Sequence, residues 1–323
     1  MTAIRVVGGG PAGSAAAIAA LGRGAAVQIV EKSRSPHHKV CGEFVAAETC
    51  SVLEELGAWD EFRSRKPARM ERCRLRFGSR VKEWKLGEPA FGLSRLELDS
   101  LLLNRAAALG ATVVRGDLHQ PPVSATILAT GRHAVAQKGN RLFAFKSHFE
   151  GPAGDAVEVF FDRSGYVGVS PVENGVTNVC GIFPENILGR YGFCFDDVLY
   201  SSASLRERLQ PLSRRMAWLT TGPLVFSGEE RENSAEVYAA GDSLGFIDPF
   251  TGSGILNALL TGKMAGAAAA DGLAPHAYRM ACRRLLRRPF EVAAVFRAIV
   301  RWGFAEYLAP FVPGQWLYRL TRV

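Results

Sequence analysis

Ile4-Arg-Val-Val-Gly-Gly-Gly-Pro-Ala-Gly-Ser14 is the stretch that decides how this chain folds. The apolar run Ile4 to Val7 predicts a buried strand, and the Ala-rich Ser14 to Leu21 predicts a helix directly behind it. Between them Gly8, Gly10 and Gly13 stand at Gly-x-Gly-x-x-Gly spacing. Gly8 allows a tight turn, Gly10 lets backbone approach a pyrophosphate, and Gly13 lets the helix pack closely on the sheet. The phosphate charge would rest on unpaired N–H groups at the positive end of the helix dipole. Ala26 to Val30 predicts a second strand ending in Glu31, 18 positions beyond Gly13, where a carboxylate can accept hydrogen bonds from a ribose. The glycines alone fit any glycine-rich turn; with the strand, the helix and Glu31 they fit a dinucleotide site better.

Composition sets the frame for that site. The chain has 323 residues, 48% hydrophobic and 22% charged, which is ordinary for a soluble globular protein and argues against disorder. The length suits two or three domains, or one nucleotide-binding domain with a second inserted in it. The first strand begins almost at Met1 with no basic and apolar leader, so a cytoplasmic location is expected. Cys41, Cys50, Cys73, Cys180, Cys194 and Cys282 form no CxxC pair and no Cys/His cluster at zinc spacing. Neither a structural metal nor a disulfide framework is expected. Nine arginines against two acids between His276 and Val323 supply +7 of the net charge of +8.

Along the chain, apolar spacing over Glu43 to Leu56 predicts a helix closed by Gly57. Met70 to Phe77 alternates, with Cys73, Leu75 and Phe77 on one face and Arg72, Arg74 and Arg76 on the other. With Val81 to Leu86 it predicts a hairpin whose arginines form a solvated face rather than an anion site. Ser94 to Leu109 predicts a helix opened by Arg95, followed by strands at Ala111 to Val114 and Ala125 to Thr130. Four strand-like runs, Leu142 to Phe149, Val157 to Asp162, Gly165 to Val169 and Val176 to Phe183, predict an antiparallel sheet. Phe143, Phe145 and Phe149 share one of its faces, an expected apolar, aromatic surface. A helix over Asp196 to Leu209 and a strand over Leu219 to Phe226 follow.

Glu236-Val-Tyr-Ala-Ala-Gly-Asp-Ser-Leu-Gly-Phe-Ile-Asp-Pro-Phe-Thr-Gly-Ser-Gly254 is the second informative stretch. A strand ends at Gly241, Asp242 follows, and a Pro/Gly loop enters an apolar helix over Ile255 to Ala270. Gly262 and Gly266, one turn apart, suit close helix packing. The competing reading of Asp242 is a helix cap.

With both stretches the chain resembles FAD-dependent oxidoreductases of para-hydroxybenzoate hydroxylase-like fold, and among them the geranylgeranyl reductase-like branch, to about Gly272. The resemblance implies an α/β protein: a Rossmann-type FAD-binding domain, an inserted antiparallel β-sheet substrate domain and C-terminal helices. The segments would be 1–69, 94–135 and 227–275 for the FAD-binding domain, 70–93 for a substrate-domain hairpin, 136–226 for the substrate sheet, and 276–323 for basic helices. It implies that Gly8, Gly10, Pro11, Ala12, Gly13, Glu31 and Lys32 hold the ADP half of FAD. Gly241 and Asp242 would reach the ribityl chain, and Pro249, Gly252, Ser253 and Gly254 the flavin pyrimidine. Arg95 corresponds to the arginine near the phosphates or the flavin. Thr130-Gly131 stands where the family has Asp-Gly, which weakens any NAD(P)H-handling role for that segment.

Lys39-Val-Cys41-Gly42-Glu43 resembles the reductase Lys-x-Cys-Gly motif that sets a cysteine beside the flavin. Gly165-Tyr166-Val-Gly168-Val-Ser-Pro171 resembles its Tyr-x-Trp-x-x-Pro strand, with Gly168 at the tryptophan position, which would open the substrate pocket. NAD(P)H would serve as transient reductant of FAD, and the substrate would be a hydrophobic unsaturated or aromatic small molecule. Cys41 and Tyr166 are the candidate proton donors, and Cys41 favours C=C reduction. Hydroxylation of an aromatic or polyketide-like substrate is the alternative, and a non-catalytic flavin-binding partner protein a further one. Halogenation is disfavoured, since no Trp-x-Trp-x-Ile-Pro segment occurs.

The arginine-rich tail has three readings. Arg283, Arg284, Arg287 and Arg288 at helical spacing, with Phe296, Trp302, Phe304, Leu308, Phe311 and Trp316, suit peripheral contact with an anionic membrane as well as a plain solvated face. Helix breaks are expected at Pro289, Pro310 and Pro313. Arg297 and Arg301 interrupt the only long apolar stretch, so no span is expected. Nucleic acid is disfavoured, because nothing else in the chain reads bases.

Overall fold

The computed structural model describes residues 4–116, 126–132, 141–152, 154–162, 165–224, 237–301 and 314. The chain opens with β1 (Ile4–Val7), α1 (Pro11–Leu21) and β2 (Val27–Glu31), as the first stretch predicts. The short strand β3 (Phe44–Val45) and helices α2 (Thr49–Glu55) and α3 (Trp59–Ser64) lead to a long hairpin, β4 (Ala68–Phe77) and β5 (Arg80–Gly92). Then come α4 (Arg95–Ala108), β6 (Thr112–Arg115) and β7 (Thr126–Leu128). The sheet strands β8 (Leu142–Glu150), β9 (Ala156–Phe161), β10 (Tyr166–Pro171) and β11 (Thr177–Pro184) precede helices α5 (Glu185–Arg190), α6 (Phe195–Ser201) and α7 (Ala203–Leu209). The remainder is β12 (Ser213–Arg214), β13 (Leu219–Leu224), β14 (Tyr238–Ala239), α8 (Gly254–Ala270) and α9 (Pro275–Arg301).

Two sheets result. A parallel sheet in the order β14-β7-β1-β2-β6 places β1 at its centre. The chain leaves β1 toward β2 on one side and later adds β7 on the other, so a crevice opens at the carboxyl end of β1, where such folds bind ligands. The second sheet runs β12-β8-β11-β10-β9-β4-β5-β3, with β13 also on β8. The hairpin β4–β5 joins it through parallel pairing of β4 with β9, Arg72 opposite Ala156 through Phe77 opposite Phe161. The α/β class with an antiparallel second sheet is thus as expected.

The glycines act where the sequence places them. Gly8 has φ +106°, and a Cβ there would collide with the Ala129 carbonyl. A Cβ on Gly13 would strike the Gly8 carbonyl oxygen, and those on Gly262 and Gly266 the carbonyl oxygens of Ala12 and Ala16. Helices α1 and α8 therefore touch backbone to backbone, which is why α1 is alanine-rich and buried from Pro11 to Ala20.

Several expectations need correction. No helix covers Glu43 to Leu56: Glu43 takes φ +54°, β3 pairs with β5 at Phe91 and Gly92, and the helix starts only at Thr49. The apolar spacing of Phe44 and Ala47 reflects burial in a strand and turn. The helix expected over Asp196 to Leu209 divides at Ser202, whose backbone is extended. Phe145 and Phe149 do not offer an open aromatic surface, because Val198, Leu199, Leu205 and Leu209 of α6 and α7 cover them. Helix α9 runs through Pro289 without ending, since Cys282, Leu286, Pro289, Ala293 and Phe296 continue one buried face across it. Phe296 packs on Phe161 and Phe250 and so belongs to the interior. Pro310, Pro313, Trp302, Phe304, Leu308, Phe311 and Trp316 lie outside the described residues.

The arginine face of the hairpin is an ion-pair network. Arg72 pairs with Glu83 and Asp155, and Arg74 with Glu83 and Glu158, while Arg208 reaches Glu158. Arg76, the third arginine of that face, stands instead over the Phe160 ring at 5.3 Å.

Replacing Gly262 by Ala is expected to destabilise the protein by about 1–3 kcal/mol through overpacking, whereas Gly189→Ala, with nothing within 4 Å of the new Cβ, should be neutral or stabilising; thermal unfolding measures both.

Candidate active site

One cavity joins the two glycine motifs. It encloses about 1610 Å³ of space between atoms, mouth included. Gly10, Pro11 and Ala12 of the first motif line it, as do Gly241, Asp242, Pro249, Gly252 and Gly254 of the second. Cys41, Arg95, Tyr166 and Gly168 line it too. Gly8, Gly13, Glu31, Lys32 and Ser253 stand outside the wall. Gly8 and Gly13 shape the turn, and Lys32 is exposed at the end of β2. Ser253 is fully buried and shares a hydrogen bond of 2.8 Å with Thr251.

Two helices present uncapped amino termini here. No side chain caps α1, whose N-cap is Gly10 and whose first residue, Pro11, has no N–H. No side chain caps α8 behind Ser253 either. By contrast α4, whose start also lies here, is capped by Ser94, whose Oγ accepts from Glu97 N–H at 3.3 Å. Uncapped N–H groups and the positive end of a dipole make each of the first two an anion-stabilising end.

Charge gathers at the α1 end. A Cβ on Gly10 would meet only Arg95 Nη2 at 3.7 Å, Asp99 Oδ2 at 3.9 Å and Lys39 Nζ at 4.0 Å. Arg95 donates to Asp99 at 2.7 and 3.0 Å, and Lys39 to the same carboxylate at 2.8 Å. Burial pushes the Asp99 carboxyl up, but Arg95 and Lys39 outweigh it and hold it below the usual range. Two cations against one anion leave a local positive charge beside the open backbone of Gly10. Glu31 accepts from Gly9 N–H at 2.6 Å and from Ser33 N–H at 2.8 Å, and a carboxylate has further lone pairs for a ribose hydroxyl.

At the other end Asp242 sits in a short turn, Gly241–Ser243, that it does not cap, and the cap position of α8 belongs to Ser253. Burial raises its carboxyl above the ordinary range, with Arg132 and Arg95 opposing. Arg132 is a site residue that the sequence reading missed. It lines the cavity, donates to Thr221 Oγ1 at 2.8 Å, and stands over the Phe246 ring at 4.9 Å. Burial lowers its pKa, with Asp242 opposing. Its one sequence signal was its place just after the strand-Gly turn Thr130-Gly131.

Cys41 lies on the wall, its carbonyl held by Asn178 Nδ2 at 3.1 Å. Cys180, also on the wall, has its thiol pushed up to about 12 by burial and by Cys41. Tyr166 is less free than expected: its hydroxyl donates to Asp248 Oδ1 at 2.7 Å and accepts from Phe250 N–H at 3.1 Å. Burial and Asp248 raise it well above the ordinary tyrosine value. A Cβ on Gly168 would meet only the Cys180 carbonyl, at 3.8 Å, so this position leaves open volume.

Residues 1–120 match the family described as FAD binding domain. No curated protein matches the chain in sequence. Among solved structures, a flavoprotein/dehydrogenase from Cytophaga hutchinsonii is similar, with a TM-score of 0.81 at 16% identity over 99% of this chain and 91% of that one. The flavin-dependent brominase Bmp2 gives 0.78 at 16% over 98% and 92%. A geranylgeranyl bacteriochlorophyll reductase-like protein from Thermoplasma acidophilum gives 0.70 at 20% over 99% and 91%. At these identities the likeness is one of fold. Residues 1–120 thus resemble an FAD-binding domain, the chain shares the fold of these structures, and the cavity chemistry fits that cofactor: open glycine backbone, two uncapped helix ends and a local surplus of cations.

Gly10→Ala would add a methyl group to this space at ordinary contact distance from the protein, its nearest neighbour Arg95 Nη2 at 3.7 Å. FAD Kd is expected to rise more than about tenfold, with a thermal midpoint of the FAD-free protein close to wild type; flavin fluorescence titration and thermal unfolding read the two effects.

Proposed function

We propose that this chain is an FAD-dependent oxidoreductase that reduces a C=C bond in a hydrophobic small molecule, with NAD(P)H as the source of electrons. The observation that carries this reading is Cys41 on the wall of the cavity that unites both glycine motifs. Bound FAD would supply two-electron, hydride-transfer chemistry. The N–H groups at the start of α1, with Arg95 and Lys39, would hold its pyrophosphate, Glu31 the adenosine ribose and Asp242 the ribityl chain. The start of α8, at Gly252 to Gly254, would stabilise negative charge on the ring's pyrimidine edge.

Reduction of a double bond consumes a hydride and a proton. Cys41 Sγ is the group offered for the proton, because the Tyr166 hydroxyl is bound to Asp248 and its acidity is suppressed. Leu75, Val157, Val159 and Phe250 give the same cavity an apolar wall, which suits an uncharged substrate and keeps out water. That dry wall equally supports a second reading, oxygen-dependent hydroxylation of an aromatic substrate. The halogenating activity in a neighbour's name is not carried over, for want of the Trp-x-Trp-x-Ile-Pro segment.

Cys41→Ala and Cys41→Ser, assayed without oxygen with NADPH and candidate apolar alkenes, are expected to lose product formation about 100-fold or more while retaining FAD. A strict oxygen requirement, or activity indifferent to the change, would point to hydroxylation; FAD that no substrate reoxidises would point to a carrier.

The outer face of α9 offers a second, independent contact. Arg283, Arg284, Arg287 and Arg288 are exposed there, near exposed Met280 and Val295. No helix among the described residues is long and apolar enough to cross a membrane. This face suits peripheral binding to anionic lipid. Replacing the four arginines by Gln should abolish flotation with vesicles containing anionic lipid at low salt; flotation unaffected by the change, or absent in the wild type, would refute the contact.

A further inference from the structure

Glu43 stands two residues beyond Cys41, and no step above uses it. Its side chain is fully buried, and its φ of +54° lies in the left-handed region that disfavours residues other than glycine. Every hydrogen-bonding function it has is committed. Oε1 accepts from the Lys146 ammonium and from the backbone N–H of Arg95 at 2.7 Å. Oε2 faces His148 Nε2 at 2.7 Å. Its own N–H donates to Cys41 Sγ at 3.4 Å, and its carbonyl accepts from Leu93 N–H at 3.2 Å. Lys146 is itself fully buried and His148 nearly so.

A buried ion pair is a weak device for stability, since desolvating both charges offsets their attraction. Strained backbone persists only where the surroundings over-determine it. Here those surroundings are the Cys41 loop, the first residue of α4, and β8 of the second sheet. A metal centre is a poorer account. His38, Glu43 and His148 do bring ligand atoms within 4.8 Å of one another, but Lys146 already neutralises the carboxylate and would repel a divalent ion. Nor is Glu43 an acid: burial pushes its carboxyl up, but His148 and Lys146 together hold it below the usual range.

We propose that Glu43 is a positioning residue: its carboxylate sets Cys41 and Arg95 at a fixed spacing on the cavity wall and locks the second sheet to them through Lys146 and His148. The inference rests on the FAD reading of the cavity for its functional consequence, and on geometry alone for its effect on Cys41.

The test compares the FAD-loaded wild type, Glu43→Gln, and the double variant Glu43→Gln with Lys146→Met, which removes both members of the charge pair. Thermal midpoint, FAD Kd and the rate of Cys41 alkylation by iodoacetamide, located by peptide mass spectrometry, are read for each. Glu43→Gln is expected to lower the midpoint, because Lys146 is left buried without its carboxylate partner. The double variant should recover the midpoint, yet keep FAD Kd raised and Cys41 alkylation altered by about tenfold each. Wild-type values of Kd and alkylation in the double variant would overturn the proposal and leave Glu43 a stabilising ion-pair partner. Where either variant does not fold, Glu43→Asp, which keeps the charge but withdraws it, gives the same two readings against the same criterion. Wild-type protein that retains no FAD would sink the cofactor reading instead, and the Cys41 rate then decides the role of Glu43.

Discussion

The backbone contact between α1 and α8 governs the rest of the structure. Gly262 lies on Ala12 and Gly266 on Ala16, so matching residues ascend together and the helices run parallel. Pro11, the first residue of α1, is then level with position 261, whereas α8 begins at Gly254. At about 1.5 Å per residue the start of α8 lies roughly 10 Å beyond the start of α1 along their common direction. One contact thereby sets two uncapped, anion-stabilising helix ends at a fixed separation within one cavity. An extended cofactor with a pyrophosphate at one place and a charge-accepting ring at another needs such a spacing. Any side chain larger than hydrogen at Gly262 or Gly266 would push the helices apart and change it.

What was legible in the sequence follows from how local each requirement is. Gly8, Gly10 and Gly13 announce a turn, a close approach and a packing contact within six residues, and Gly262 and Gly266 announce a helix contact by their spacing. The alternation of Phe143, Phe145 and Phe149 announced a buried face but not what buries it, because α6 and α7 arrive about 50 residues later. Glu43 was illegible for the same reason in a stronger form. Its partners Lys146 and His148 lie 103 and 105 positions away, and the nearby apolar spacing imitated a helix. Pro289 illustrates a local rule overruled: the buried face of α9 continues on both sides of it, and packing outweighs the lost backbone bond.

The cavity's charges are arranged in partly compensated groups. Lys39 and Arg95 share Asp99 near Gly10, while Arg132 and Asp242 lie at the far end with opposite shifts, each disfavoured in its charged form by burial. The first group keeps a surplus cation, which suits a bound phosphate. In the second, a hydroxyl-bearing ligand could hydrogen-bond Asp242 while an electron-rich group relieved Arg132. Such a gradient, positive at one end and nearly neutral at the other, orients an asymmetric ligand before any contact specific to its ring.

The loop that leads into α8 is held from two sides. Asp248 accepts from the Tyr166 hydroxyl on β10 and from Arg297 of α9 at 2.8 Å, and it directly precedes Pro249 to Gly254. The second sheet and the C-terminal helix therefore both brace the segment that offers N–H groups at the start of α8. This divides α9 by function: Arg297 and Phe296 face inward and frame the site, whereas the arginines on its outer face are free of that duty. It also separates the two candidate proton donors. Tyr166 gives up acidity to serve as a brace, its hydroxyl committed on both its donor and acceptor sides. Cys41 keeps its Sγ on the cavity wall, fixed through its own carbonyl by Asn178 and through Glu43 beneath it. Support falls on Tyr166, and of the two candidates only Cys41 keeps its side chain out of that brace.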